Sequence, residues 1–307
     1  MDIGIIGAGN VGIGIADALA YLGIGKKVTI FNRNIDKALG EIWDLNDSIP
    51  LLNSDMELFA TDNYNDLTKC DVIVITVGAK QRPEQSRIEL LEENLKITKE
   101  IIENIDKVNL DAYIIVVTNP VDILTRLAIE ISQRDKSKIF GSGTVLDSIR
   151  LKEAIGEKLN INRKNIHAYI IGEHGDSEFP LWSACHIGPL KLEDFNIENL
   201  EEFKKETALK VKNRAYSIIE KKASTRQAIG VSVANIIKAI ALDEKKIFTL
   251  STNIGELCKC IKKDVCLSIP CVLGKNGIEK KLLMNCEEDE FELLKQSAMK
   301  LDNIYNL

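Results

Sequence analysis

Histidine is scarce in this chain, three residues in 307, so any imidazole chemistry must draw on His167, His174 or His186. No apolar run approaches the length needed to cross a bilayer, and Met1 leads into "IGIIGAG" without the basic, apolar and cleavage regions of a signal peptide. A membrane partner is therefore not expected, and the chain reads as cytoplasmic. The formal net charge of −6 contains no basic block able to neutralise a run of phosphates, which argues against a nucleic-acid partner. The seven cysteines are odd in number and lack the paired spacing of a zinc site. The nearest two, Cys258 and Cys260, are separated by one residue, so reduced thiols and no metal are expected. Repeats, low-complexity segments and proline-rich linkers are also missing.

What is present is a rhythm. Short β-branched runs, "IGIIG" (3–7), "VTIF" (28–31), "VIVITVG" (72–78), "YIIVVTN" (113–119) and "KIFGSG" (138–143), alternate with helical patterns such as 10–23 and 87–107. Runs apolar on both faces mark strands covered by helices, and the βαβ order implies an α/β fold with a doubly wound parallel sheet of the Rossmann type. After residue 143 the pattern changes. A helix from about 147 is followed by strands near 165–171 and 180–187, two helices across 198–242, further strands, and an amphipathic helix from about 288. The expected organisation is a dinucleotide-binding domain over 1–143 and a second α+β domain over 144–307.

"GAGNVG" places Gly7, Gly9 and Gly12 in G-x-G-x-x-G order between the first strand and the first helix. In that setting Gly7 makes a tight turn, Gly9 lets a pyrophosphate approach the backbone, and Gly12 lets helix and strand pack closely. Ligands of open α/β sheets lie beyond the carboxyl ends of the strands, where this chain carries "AKQRPEQSR", "TNPVD" and "TVLDSIR". Gln81, Arg82, Arg87, Asn119, Asp147 and Arg150 therefore stand at the cofactor edge. Asp147 and Arg150, three apart on a helix, also read as a simple ion pair. His174, between Glu173 and Gly175, also reads as a solvated turn residue.

Taken together, "GAGNVG", "TVGAKQRPEQSR", "TNPVD", "GSGTVLDSIR" and "IGEHGDSEFP", in that order, resemble the L-lactate and malate dehydrogenase family, with a likeness that runs through "IPCVLGKNGIEK". The resemblance implies hydride transfer between a nicotinamide cofactor and a small L-2-hydroxy acid. His174 becomes the general acid/base, Asp147 the carboxylate that orients its ring, and Arg87 the group that polarises the ketone oxygen. Arg150 becomes the fork that grips the substrate carboxylate, with Asn119 and Thr225 near the reacting groups. Gly7, Gly9, Asn10, Val11, Gly12, Asn32, Arg33, Gly78 and Asn119 become the cofactor-binding set. The segment 79–87 becomes a lid, in which Gln81 suits pyruvate where the family's malate dehydrogenases carry arginine.

Two positions depart from the family's pattern. Gln227 stands where an aromatic ring is usual, which leaves L-2-hydroxyisocaproate dehydrogenase, besides malate dehydrogenase, as an alternative. Asn32 stands where an aspartate would select NAD, and Arg33 follows it, so NAD is the expected cofactor with NADP also accepted. The resemblance further implies a homo-oligomer, dimer or tetramer, and a phosphate-responsive pair at Lys152 and His167. A more distant alternative is an NAD-dependent glycosidase, which would need metal ligands near His167, His186 or Cys185.

Overall fold

Strand formation in the first part of the chain follows from segments that bury both faces. A computed structural model describes residues 1–79, 85–222, 224–255, 264–282 and 286–306, with Arg87 described through its backbone. The chain divides into two units. The first comprises Met1–Ser142, Arg226–Lys246 and Val272–Glu279, and the second Gly143–Thr225, Ile247–Cys271 and Lys280–Leu307.

In the first unit the strands are β1 (Asp2–Ile6), β2 (Lys27–Phe31), β3 (Glu57–Thr61), β4 (Val72–Ile75), β5 (Tyr113–Val116) and β6 (Ile139–Gly141). They pair in parallel in the order β6-β5-β4-β1-β2-β3. The sheet reverses direction of growth between β1 and β4, the switch point at which doubly wound sheets bind ligands. Four helices alternate with the strands: α1 (Asn10–Leu22), α2 (Ile35–Ser48), α3 (Arg87–Val108) and α4 (Val121–Ile131). β4 is "VIVI", buried throughout, whereas β3 alternates exposed and buried residues and its pattern yields no strand from sequence. α3 starts at a capping box in which Ser86 and Glu89 satisfy each other's backbone N–H groups.

The second unit opens with α5 (Val145–Leu159). Residues 165–187, which read as two strands, form four two-residue strands: β7 (Ile166–His167), β8 (Ile170–Ile171), β9 (Phe179–Pro180) and β10 (His186–Ile187). The chain turns at Gly172, with φ at 92°, and again through a 3-10 turn at Trp182–Ala184, so the apolar runs cannot stay extended. β11 (Leu190–Lys191) completes a small sheet in the order β11-β10-β7, and α6 (Leu200–Lys222) follows. Leu151, Ile155, Ile166, Ile170, Ile187 and Phe203 bury one another as the core here.

α7 (Gln227–Ala241) belongs to the first unit and crosses α1 at two glycines. A Cβ at Gly230 would stand 2.1 Å from the carbonyl oxygen of Gly14, so any side chain would part the helices. Arg226 closes this contact with an ion pair to Asp17 at 2.6 Å. Strands β12 (Lys246–Asn253), β13 (Cys266–Gly274) and β14 (Gly277–Lys281) precede the last helix, α8 (Glu288–Tyr305). Among the described residues no helix is long and apolar enough to cross a membrane.

Candidate active site

The loop between β1 and α1 has the geometry its glycines require. Gly7 adopts φ of 114°, and a Cβ there would meet the Thr76 side chain at 2.7 Å. A Cβ on Gly12 would stand 2.0 Å from the carbonyl oxygen of Gly7. Gly9 is different: a Cβ there meets nothing within 4 Å. Internal packing thus explains Gly7 and Gly12, while the bare backbone at exposed Gly9 suits close approach by an external group. Gly9 caps α1 without a side-chain hydrogen bond, and the first turn carries no acidic residue. The N–H groups of that turn, from Asn10 and Val11 onward, are therefore suited to the pyrophosphate of a dinucleotide.

Beyond β2, the Asn32 side chain accepts from the Ala8 N–H at 3.3 Å and donates to the Asn34 carbonyl at 2.7 Å. Arg33 places one guanidinium nitrogen 2.8 Å from each carboxylate oxygen of Glu100. Beyond β4 and β5, Asn94 of α3 links the loops that follow these two strands. Its amide oxygen accepts from Ala79 N–H at 2.7 Å, and its nitrogen lies 3.4 Å from the Asn119 carbonyl. Gly78 and Asn119 are exposed beside this link, and the Asn119–Pro120 peptide is cis. Sequence reasoning missed Asn94; its signal is a buried amide between the apolar positions Leu91 and Leu95.

The second unit brings together His174, Asp147 and Arg150. The first turn of α5 supplies Asp147, and the loop 172–178 between β8 and β9 supplies His174. Ser148 fixes the two elements to each other, since its hydroxyl accepts from Ile170 N–H at 2.9 Å and pairs with Thr249 at 3.0 Å. Asp147 then lies with Oδ2 2.9 Å from His174 Nδ1 and Oδ1 2.8 Å from an Arg150 nitrogen. A carboxylate only accepts, so Nδ1–H of the neutral ring donates to it and proton exchange is assigned to Nε2. Burial acts to raise the Asp147 carboxyl. The hydrogen bond and charge of His174, with the charge and hydrogen bond of Arg150, outweigh it and leave that carboxyl below its ordinary range.

The same loop is held from behind by α8. Ser297 accepts from Glu173 N–H at 2.7 Å and pairs with Ser177 at 3.0 Å, and Lys300 lies 2.7 Å from the Glu173 carboxylate. Ser297 is a fully buried hydroxyl beside Leu294, Ala298 and Leu301 on the face of α8 that also buries Glu290 and Asp302, and a small polar residue among apolar positions is its sequence signal. Glu178 completes the surroundings: one ligand atom each from Asp147, His174 and Glu178 all lie within 4.8 Å of one another. Such a trio is the spacing of a cation site. Both Asp147 oxygens are already engaged, however, and the Arg150 guanidinium already occupies one of them, so the arrangement is that of a proton relay.

Thr225 lies half-buried between α6 and α7, and Gln227 is exposed at the start of α7. Lys152 stands 5.5 Å from the ring centroid of Tyr169, while His167 is exposed and pairs across β7 and β10 with His186. His186 engages the Ala184 carbonyl at 3.1 Å, and burial pushes the Cys185 thiol up to about 12, which disfavours the thiolate a metal would need. Gln81 and Arg82, central to the expected lid, lie outside the described residues, as does the side chain of Arg87.

Comparison with known proteins covers the whole chain. Residues 1–141 match the NAD binding domain of lactate/malate dehydrogenase, and residues 144–307 match the alpha/beta C-terminal domain of the same family. An L-lactate dehydrogenase of Clostridium botulinum (strain Loch Maree / Type A3) is 40% identical, over 99% of this chain and 96% of that protein. One from Thermoanaerobacter sp. (strain X514) is 39% identical, over 96% and 95% respectively. Among solved structures, MGS-M5, a lactate dehydrogenase from a Medee basin deep-sea metagenome library, superimposes with a TM-score of 0.96 at 32% identity, covering 99% of this chain and 98% of that one. The minor L-lactate dehydrogenase of Enterococcus mundtii, in a ligand-bound form, gives 0.94 at 30% identity over 99% and 97%.

Proposed function

The chain belongs to the lactate/malate dehydrogenase family of NAD-dependent oxidoreductases, and on that premise we propose that it interconverts pyruvate and L-lactate. The observation that carries the proposal is the Asp147 carboxylate shared between His174 and Arg150. In the reductive direction His174 gives the proton on Nε2 to the ketone oxygen of pyruvate. Asp147 holds the ring in the required orientation and stabilises the imidazolium. Arg150 keeps one nitrogen on Asp147 and uses its other N–H groups to hold the substrate carboxylate in two parallel hydrogen bonds. Arg87 polarises the ketone oxygen, where negative charge develops, and Asn119 and Thr225 line the site. The Gly7–Gly12 loop would hold NADH, which would supply the hydride. The reaction balances as pyruvate, NADH and a proton giving L-lactate and NAD.

NAD rather than NADP is the proposed cofactor, because Glu100 occupies Arg33 and keeps a carboxylate beside the position that would have to receive a 2′-phosphate. Gln81, a neutral amide, supports pyruvate over oxaloacetate, whose second carboxylate calls for a cation. We propose further that the protein works in the cytoplasm as a homo-oligomer. Support for assembly comes from the exposed apolar side chains Leu209, Tyr216 and Ile219 along α6, and sedimentation would measure it.

Steady-state oxidation of NADH with pyruvate, oxaloacetate and 2-oxoisocaproate tests the substrate. The expected result is a kcat/KM for pyruvate about tenfold or more above the others, the separation that roughly 1.4 kcal/mol of differential binding gives. A preference for 2-oxoisocaproate would instead place the pocket-widening effect at Gln227.

A further inference from the structure

A second carboxyl stands at the histidine. Glu178 closes the loop that carries His174, and its carboxyl approaches to within 4.8 Å of both the imidazole and the Asp147 carboxylate. No hydrogen bond reaches the Glu178 carboxyl among the described residues, and the residue is half-buried. The charged groups facing it are Asp147 and Arg150 from α5, His174 from its own loop and Lys212 from α6. Two carboxyls this close in a poorly hydrated site do not both ionise readily. Asp147 receives hydrogen bonds from a guanidinium and an imidazole, so it is the one that stays charged and Glu178 is the one that keeps a proton.

We propose that Glu178 is an electrostatic partner of the Asp147–His174 pair, an acid held neutral beside Asp147 whose ionisation in alkaline solution prolongs the imidazolium form of His174. The inference rests on the reading of His174 as proton donor. Burial, followed by the charge of Asp147, pushes the Glu178 carboxyl up to about 8. Above that pH its proton passes to solvent, and the negative charge left near the ring favours the protonated imidazole. Reduction of the ketone requires that form, so Glu178 extends reduction toward higher pH. It acts through His174 and is a positioning residue in the electrostatic sense. Coupled groups of this kind titrate as a set.

The test is nuclear magnetic resonance of the cofactor-free protein labelled at its three histidines, with His174→Asn used to assign the signal. In wild type the His174 signal should show a second inflection near pH 8 as Glu178 ionises, and in Glu178→Gln, which keeps the shape of the neutral acid, that inflection should be absent while the titration below it stays the same. His167 and His186 should not move. The alkaline limb of kcat/KM for pyruvate should move to lower pH in Glu178→Gln. Glu178→Asp, which retains an acid on a shorter arm, should keep part of the inflection and serves if the glutamine variant fails to fold. A wild-type His174 signal with no inflection near pH 8, or an inflection that persists in Glu178→Gln, overturns the inference, and pyruvate turnover that still depends on His174 would leave the functional reading standing. Loss of the inflection in a protein that does not reduce pyruvate would uphold the coupling and overturn that reading.

Discussion

Lys300, near the end of α8, lies 2.7 Å from the carboxylate of Glu173 and so grips the residue that precedes His174. The imidazole is therefore aligned by Asp147 in front and by the last helix behind. Lys300→Met should lower kcat for pyruvate about tenfold through misplacement of the ring, while NADH binding stays near wild type. Stopped-flow titration of NADH fluorescence beside steady-state rates would separate the two, and equal losses in both would deny Lys300 this role.

His174→Asn and Asp147→Asn should each cost about 10²- to 10⁴-fold in kcat, the first by removing the proton donor and the second by releasing its tautomer. Neither removes much buried apolar surface, so the melting temperature is the control. A His174→Asn protein that turns over near the wild-type rate would refute the assignment.

The glycines of the β1–α1 loop should respond differently to alanine. Gly12→Ala drives a Cβ against the Gly7 carbonyl and should destabilise the fold, whereas Gly9→Ala meets nothing and should leave the melting temperature almost unchanged. Affinity for NADH should nevertheless fall in Gly9→Ala, because the methyl group enters the space assigned to the pyrophosphate. Calorimetric titration of NADH into that variant decides the point.

Cofactor choice offers a third comparison. The Arg33–Glu100 pair is exposed and worth at most about 1 kcal/mol, so Glu100→Gln should free the guanidinium and raise kcat/KM for NADPH about fivefold relative to NADH. Asn32→Asp should do the reverse. An unchanged ratio in both variants would show that another group controls the 2′ position.

Glu178 also predicts a pH dependence of stability. Below its ordinary value of 4.5 both folded and unfolded chains hold the proton. Between there and about 8 the unfolded chain releases it and the folded chain does not, so stability falls as pH rises through that window and then levels. Each unit of raised pKa corresponds to about 1.4 kcal/mol. Thermal melts from pH 5 to 8.5 should slope downward in wild type and flatten in Glu178→Gln; parallel slopes would exclude this linkage.

How much of this was legible in the sequence depended on how local the cause was. β1, β4 and β5 bury both faces and announce themselves as continuous apolar runs, whereas β3 turns Phe59 outward and Thr61 inward, so its residue types do not follow its burial and it passes for irregular chain. Asp147 and Arg150 could be read as an isolated ion pair, and the structure shows one of each that also shares its carboxylate with a histidine from a distant loop. Glu178 sits in plain view inside "GEHGDSEFP", but its environment is made by α5 and α6 and has no signature in the motif. Periodicity marks α7 as a helix but carries no hint that it packs on α1.

That packing has a consequence for synthesis. The helix that covers α1, meeting it where Gly14 and Gly230 face each other, is encoded more than two hundred residues downstream, after α5 and α6 of the other unit. A nascent chain that has emerged only through β6 still exposes the apolar flank of α1 to water and to chaperones. The first unit therefore closes only once α7 has left the ribosome, and a fragment ending at residue 142 would carry a sticky, incompletely covered face.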